Sequence, residues 1–341
     1  MLNKSKSVIG LDIGSSCVKA VELTQAGGDV VVSAYGQAEV LSEGSRADAV
    51  VELLQSQPFR TRRVVTAVSG KSVIVRYLTM VQMSDDDLRN AIRFEADKYI
   101  PFDVDEVVLD CQRLDPENEG AGEMRVLLVA VKRSLIDDHV ALLQGIGLQP
   151  SVIDVDSFAL GNAFELRNLH APTFDNDDRA FALVDIGGNK TNINIVRGTS
   201  TYFTREIYLG GDDFTSAIGK RLGIESSQAE YLKRDPEDNL EDVREAVIPT
   251  IDDLGNEIHL SFDYFENQFD QEVDEVYLSG GGSRLDLLED AFEKIFEKRT
   301  RTWDPTENLR VKADSVDVDA LKLNAPQLAV AIGLASRIRK D

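Results

Sequence analysis

The sequence predicts an α/β protein of two duplicated lobes, with a strand-helix-strand-strand subdomain inserted in the first. Three observations lead there. Residues 8–23 read as strand, tight turn, strand, and the turn Asp12-Ile-Gly-Ser-Ser16 packs an acid, a glycine and two hydroxyls into five residues. Residues 182–196 repeat that pattern around Asp185-Ile-Gly-Gly-Asn189. Between the two copies, residues 72–150 depart from the pattern and carry a strand, a helix and two strands of their own.

Within the first copy, alternation and β-branched content predict strands at 8–13, 17–23 and 29–35, with a turn at Gly27-Gly28. A helix over 47–55 and a buried strand over 63–69 follow. The insertion opens with a strand at 73–80. Ser84 then caps a helix whose first turn, Asp85-Asp-Asp87, complements the N-terminal dipole, and Pro101 stops it. Strands at 107–112 and 124–131 flank an acidic loop at 115–123, and a helix runs from Ser134 to Gly145. A strand at 150–156 and a helix at 157–166 return to the first lobe, and 171–179 reads as a polar linker.

The second copy has strands at 181–186, 190–196 and 200–207, the turn Leu209-Gly-Gly-Asp212 and a helix from Asp213 to Leu222. Residues 223–272 are helical and acidic, most clearly at 226–233 and 258–269. A strand at 275–278 runs into Ser279-Gly-Gly-Gly-Ser-Arg284, followed by a helix at 285–296, and a small-residue helix at 324–335 closes the chain. The expected organisation is a first lobe at 1–71, the insertion at 72–150 and the first lobe continued at 151–175. The second lobe follows at 176–222, with a helical insertion at 223–272 and a continuation at 273–322. Residues 323–341 return to the first lobe.

Composition bounds the function. At 341 residues, 43% hydrophobic and 28% charged, the chain reads as a globular protein of about two domains. No apolar run is long enough to span a bilayer, and the N-terminus shows no secretory signal. Two cysteines, Cys17 and Cys111, with three histidines argue against a disulfide framework or a zinc site and for buried reduced thiols. A net charge of −23 opposes nucleic acid and anionic lipid. It reflects either a solvated acidic surface, as in a salt-tolerant source, or selection of a basic partner segment.

The paired turns are the first candidate site. Phosphate is bound by backbone N–H groups at close range, which glycine permits, so Gly14, Gly187 and Gly188 are candidates. Ser15, Ser16, Asn189 and Thr191 add side-chain donors, and Lys19 a point charge. Asp12 and Asp185 would hold a hydrated Mg²⁺ rather than phosphate itself. One Asp-x-Gly is an ordinary turn; the second copy in matched strand context makes the pair a site. Gly280, Gly281, Gly282, Ser283 and Arg284, between a strand and a helix, either admit a flat ring against backbone or form a flexible connection. Glu230 and Lys233 share a helix face and either bond ribose hydroxyls or pair with each other, while Gly210 and Gly211 open a helix or form a plain turn. Asp154 and Asp156 are the acids available to position a water, or else cap the helix from Ser157.

Taken as a set, residues 10–19, 152–164, 182–194, 276–285 and 325–335 resemble the two phosphate motifs, two connecting motifs and adenosine motif of the actin, heat-shock chaperone and sugar-kinase superfamily, in the expected order. The resemblance covers nearly the whole chain. It implies an actin-like ATPase fold with ATP and Mg²⁺ between two lobes. Within that superfamily the insertion resembles that of the cell-division protein FtsA and of the type IV pilus protein PilM. The text Leu88-Arg-Asn-Ala-Ile-Arg-Phe-Glu-Ala-Asp-Lys-Tyr-Ile-Pro-Phe102, Ile153-Asp-Val-Asp-Ser-Phe-Ala-Leu160 and Tyr208-Leu-Gly-Gly211 is similar to the PilM pattern. The chain stops at Asp341 without the amphipathic tail usual in FtsA, which fits PilM better.

The PilM resemblance implies a cytoplasmic scaffold of pilus assembly, peripheral at the inner membrane through a partner. That partner would be the cytosolic N-terminal segment of a PilN-like protein, held in a groove involving the insertion. Contacts with pilus motor ATPases, oligomer formation and slow ATPase activity are further expectations. An FtsA-like division filament protein and a small-molecule kinase of the same superfamily are the alternatives. The apolar residues of the 88–102 helix are either core or interface.

Overall fold

The computed structural model describes residues 6–26, 29–114, 122–168 and 178–339. The turn at Gly27-Gly28, most of the expected loop at 115–123 and most of the linker at 171–179 lie outside the described residues.

The first lobe opens with an antiparallel meander, β1 (Lys6–Ile13), β2 (Cys17–Ala26) and β3 (Asp29–Glu39), followed by α1 (Arg46–Ser56) and β4 (Arg63–Val68). The insertion supplies β5 (Val73–Val81), α2 (Asp85–Glu95), β6 (Val107–Arg113) and β7 (Glu123–Lys132). Next come α3 (Arg133–Gly145), β8 (Gln149–Val155) and α4 (Asp156–Glu165). The second lobe repeats the scheme with β9 (Ala180–Ile186), β10 (Thr191–Arg197), β11 (Ser200–Ile207) and α5 (Gly211–Leu222). Two helices, α6 (Ser226–Arg234) and α7 (Leu240–Phe269), precede β12 (Glu275–Ser279), α8 (Leu288–Phe296) and β13 (Arg299–Thr302). The chain returns to the first lobe through β14 (Arg310–Val311), α9 (Val318–Asn324) and α10 (Ala329–Ala335).

The duplication is visible in strand order. The first sheet runs β14-β3-β2-β1-β4-β8 and the second β11-β10-β9-β12-β13. In each, a three-stranded antiparallel meander carries a parallel strand on its first member, β4 on β1 and β12 on β9. The strands next to the turns are buried on both faces: Val8, Ile9 and Leu11 in β1, and all of Phe181–Val184 in β9.

Small residues let the elements of the first lobe approach one another closely. A Cβ on Gly333 of α10 would stand 1.7 Å from the Ala159 carbonyl oxygen of α4, and one on Gly10 of β1 would stand 1.9 Å from that of Ala331. Backbone therefore packs on backbone, and α10 is wedged between α4 and the first sheet. Around α4 the rings of Phe164, Phe181, Tyr277 and Trp303 form an edge-on cluster, with centroids 5.2 Å apart for Phe164–Tyr277 and 5.4 Å for Phe164–Trp303. The Arg167 guanidinium lies 3.8 Å from the Phe164 ring centroid.

The inserted sheet, in order β5-β7-β6, has its own core of Leu78, Leu88, Ile92, Ala96, Val126 and Leu128. Ser84 Oγ accepts from the Asp87 amide at 3.2 Å, the cap read from the sequence. Leu88 and Ile92 of α2 are core residues, whereas Phe94 is 83% exposed. The last helix of the 72–150 stretch packs elsewhere: Leu143 of α3 and Leu148 are buried with Ile9, Leu11, Val18 and Leu53 of the first lobe. Both cysteines are free and half-buried.

Candidate functional site

The two Asp-Ile-Gly turns meet at the base of the cleft between the lobes. In the first, the Gly14 amide donates to the Cys17 carbonyl at 3.2 Å, and a Cβ on Gly14 would crowd that oxygen at 2.7 Å. In the second, the Gly187 amide donates to the Lys190 carbonyl at 2.9 Å. A Cβ on Gly188 would stand 2.1 Å from Ser16 Oγ and 2.9 Å from Ser15 Oγ, so the tips of the turns touch. Gly210 and Gly211 seat the start of α5 on the second turn. The Gly211 amide donates to the Gly187 carbonyl at 2.9 Å, and the Asp212 amide to that of Gly188 at 2.8 Å. These glycines make a cradle of closely packed backbone, with the Ser15 and Ser16 hydroxyls and the Lys233 ammonium at its edges.

Beneath the turns lie the two acids. Lys19 Nζ bonds Asp12 Oδ2 at 2.9 Å. Burial alone would lower the Lys19 ammonium, but the Asp12 carboxylate outweighs it and holds it raised. Asp185 has no such direct partner. Ser279 donates to its Oδ1 at 3.0 Å, and burial, with Asp12 adding and Lys19 opposing, pushes its carboxyl up to about 6. A half-neutralised pair of carboxylates below a glycine cradle suits a hard cation that prefers oxygen ligands and keeps several waters. Among the described residues no group of three or more His, Cys, Asp or Glu side chains forms a metal cage, so such a cation would rely on phosphate and water oxygens for the rest of its shell.

The remaining candidates separate into three sets. Glu230 and Lys233 pair at 2.6 Å, and Lys233 also donates to the Gly211 carbonyl at 2.9 Å and to Thr215 Oγ1 at 2.8 Å, which places both beside the α5 cradle. Lys233 and Arg284 line one small cavity with Arg234, Leu240, Val243 and Arg244. Arg244 Nε is buried with no hydrogen-bond partner, and the residue lines this cavity beside the glycine loop. Gly280 has φ +84°, and a Cβ on it would stand 2.3 Å from the Ile186 carbonyl oxygen; one on Gly282 would lie 2.4 Å from Ile186 Cγ2. The glycine run thus lets the end of β12 close on the end of β9, and Gly281 is exposed at its tip.

Three candidates are turned to structural bonds. Thr191 is fully buried and donates to the Leu209 carbonyl at 2.8 Å, which fixes α5's approach to β10 rather than facing the cleft. Ser283, 4% exposed, donates to the Gly280 carbonyl at 2.8 Å and closes its own turn. Asp154 accepts two hydrogen bonds from Arg337, at 2.6 and 2.9 Å, and so ties β8 to the last turn of the chain. Asp156 lies elsewhere: it accepts from Lys190 at 2.6 Å and from Asn192 at 2.9 Å, next to the second turn. Burial raises its carboxyl, against the pull of Lys190.

Sequence reasoning did not single out Lys190, Glu206, Arg244 or Arg337. Lys190 sits inside the second motif, and its charge at the end of a phosphate-type turn was the available signal. Arg244 and Arg337 belong to helical text with no motif. At the mouth of the cleft, Arg234 reaches Glu39 at 3.0 Å across the lobes, an exposed pair that contributes little to stability.

Comparison with known proteins identifies the family and the fold. The structure superposes on the solved PilM-PilN type IV pilus biogenesis complex with a TM-score of 0.86 and 30% identity, covering 97% of this chain and 98% of the other. MreB 5 of Spiroplasma citri bound to AMPPNP matches with a TM-score of 0.51 and 12% identity over 98% of this chain and 96% of that one, which shows the actin-like fold alone. The cell-division protein FtsA of Bacillus subtilis (strain 168) is 21% identical over 270 residues, which cover 68% of this chain and 58% of FtsA. The sequence model of the type IV pilus assembly protein PilM matches residues 10–339, and the chain belongs to that family.

Proposed function

We propose that this protein is a nucleotide-binding scaffold of type IV pilus assembly that holds a short segment of a PilN-like membrane protein. The observation that carries the reading is the match to PilM over residues 10–339. The 30% identity to the chain in the PilM-PilN complex over nearly its whole length supports the partner. Among the described residues no helix is long and apolar enough to cross a membrane, so contact with a membrane through a partner is the consistent arrangement.

In this reading ATP lies between the two turns. The amides of Ser15, Ser16, Gly188 and Asn189 would face its phosphates, while those of Gly14 and Gly187 close the turns that present them. Asp12 and Asp185 would hold a hydrated Mg²⁺, which would supply neutralisation of phosphate charge. Lys19, bonded to Asp12, would add a positive charge near the phosphates. Glu230 and Lys233 take the ribose, and Arg244 and Arg284 the base, against exposed Gly281.

Hydrolysis requires a group that orients water. Asp154 is committed to Arg337 and Asp156 to Lys190 and Asn192. Neither acid is a free base, so the site favours holding ATP over turning it over, with Asp156 the residue that would position water when Lys190 leaves it. The partner is tested by titrating the cytosolic N-terminal peptide of the PilN-like protein encoded in the same genome into the full chain. Saturable binding is expected, lost when the peptide is scrambled. Equal binding of both peptides, or of neither, overturns the partner assignment.

A further inference from the structure

Strand β11 is the edge of the second sheet, and it presents different groups to its two sides. Phe203 and Arg205 turn to α7: Arg205 bonds the Glu257 carboxylate at 2.6 Å, and the Phe203 and Tyr264 ring centroids are 5.4 Å apart. Thr204 and Glu206 turn the other way, to the insertion and its hinge. Tyr77 of β5 places its hydroxyl beside Thr204. At the bulge in β11, Arg125 of β7 lies 5.4 Å from the Tyr202 ring centroid and 4.4 Å from that of Phe269.

Glu206 is the junction. Its Oε1 accepts from Lys190 Nζ at 2.8 Å and from the Gly70 amide at 3.0 Å, and its Oε2 accepts from the Tyr208 hydroxyl at 3.1 Å. Lys71 lies over the Tyr208 ring at 5.3 Å. Gly70, with φ +90°, is the last residue but two before β5, so it is the point at which the chain enters the insertion. Lys190 stands at the end of the second phosphate-type turn and also grips Asp156 of the first lobe. The side chains of Lys190, Asp156 and Glu206 are 18%, 11% and 24% exposed, so water screens the triad only in part.

The turns touch at Ser16 and Gly188, and phosphate between them requires that they separate. Lys190 and Glu206 belong to the second lobe, whereas Asp156 and Gly70 belong to the first. Both Lys190–Asp156 and Glu206–Gly70 therefore cross between the lobes and are loaded when the turns separate. We propose that Lys190 and Glu206 form a switch through which occupancy of the cleft sets the position of the inserted subdomain. In the closed state they hold the Gly70 hinge; with the turns parted the hinge is released and the insertion moves relative to β11. The inference rests on the nucleotide reading above and adds the route by which that site governs the subdomain.

Hydrogen exchange of the full chain, with and without AMPPNP and Mg²⁺, tests it. Segments 10–20 and 185–192 report occupancy, and segment 68–76 reports the hinge. In the native protein the nucleotide slows exchange at the turns and speeds it at the hinge by about fivefold, the equivalent of one lost hydrogen bond. In Lys190→Met the turns remain protected and the hinge no longer responds. In Glu206→Ala the hinge exchanges fast without nucleotide and does not change on adding it. Protected turns with an unmoved hinge in the native protein overturn the switch and leave nucleotide binding intact, as does a native-sized hinge response in Lys190→Met. Unprotected turns in the native protein overturn both.

Discussion

Ser16 Oγ and the Cα of Gly188 are packed so closely that a methyl group on the glycine would lie 2.1 Å from the hydroxyl. The contact crosses the cleft and joins the tips of the two duplicated turns. Gly188→Ala is therefore expected to fold, because Ser16 can rotate its hydroxyl away, but to place a methyl where phosphate would sit. ATP affinity should fall at least about tenfold, the equivalent of ~1.4 kcal/mol, with thermal stability within a few degrees of native. Calorimetric titration and a melting curve separate the two effects.

Arg337 is expected to be a stability residue. Asp154 is 7% exposed, and both hydrogen bonds from the guanidinium fall on the same carboxylate oxygen. Arg337→Ala leaves that acid buried without its cation, at a cost of about 2–3 kcal/mol in urea unfolding, below the range for fully buried pairs because Arg337 itself is part-exposed. Adding Asp154→Asn to Arg337→Ala should recover part of the loss.

The pH dependence has an identifiable contributor in His139. Its ring hydrogen-bonds Thr66 Oγ1 at 3.0 Å, and burial lowers its basicity below the ordinary 6.5. Between the lowered folded value and 6.5, the unfolded chain binds more protons at this residue than the folded one. Stability therefore rises with pH through that window, and the penalty for charging the ring is fully present below it. His139→Gln should flatten unfolding free energy against pH in that range and leave the slope above pH 7 unchanged.

The proposed placing of the base beside Arg244 and Arg284 predicts a different pattern. Arg244 Nε has no partner and lines the same cavity as Arg284. Arg244→Ala is expected to weaken ATP about tenfold while leaving the weaker binding of inorganic triphosphate unchanged, because the residue addresses the base and not the phosphates. Equal losses for both ligands would place Arg244 on the phosphates instead.

How much of this was legible depended on sequence distance. The hairpins of residues 8–23 and 182–196 were readable because neighbouring strands impose period-two alternation and the turns demand glycine where a Cβ meets backbone or the opposite turn. The Ser84 cap was readable for the same local reason. The links that cross the molecule were not: Arg337 with Asp154 and Glu206 with Gly70 join residues that no period connects, and Arg244 and Arg284 come to one cavity from distant text. Residues 297–323 carried no strand signal, since β13 has four residues and β14 two, and both owe their form to a neighbouring strand. The helix expected from Leu285 begins at Leu288, because the turn at Gly281–Arg284 winds as a 3-10 helix before the chain straightens. Thr191 was chosen for its hydroxyl and Ser283 as part of the glycine run, and the fold uses both hydroxyls to fix its own loops.

The most direct test of the account is a calorimetric titration of ATP into the full chain with Mg²⁺, repeated with EDTA and with Asp185→Asn. Saturable one-to-one binding with Mg²⁺ is expected, with a loss of at least about tenfold both on chelation and in the variant, since Asp185, unlike Asp12, is not already bonded by Lys19. No heat of binding in the native protein, or affinity indifferent to both Mg²⁺ and Asp185, would contradict it.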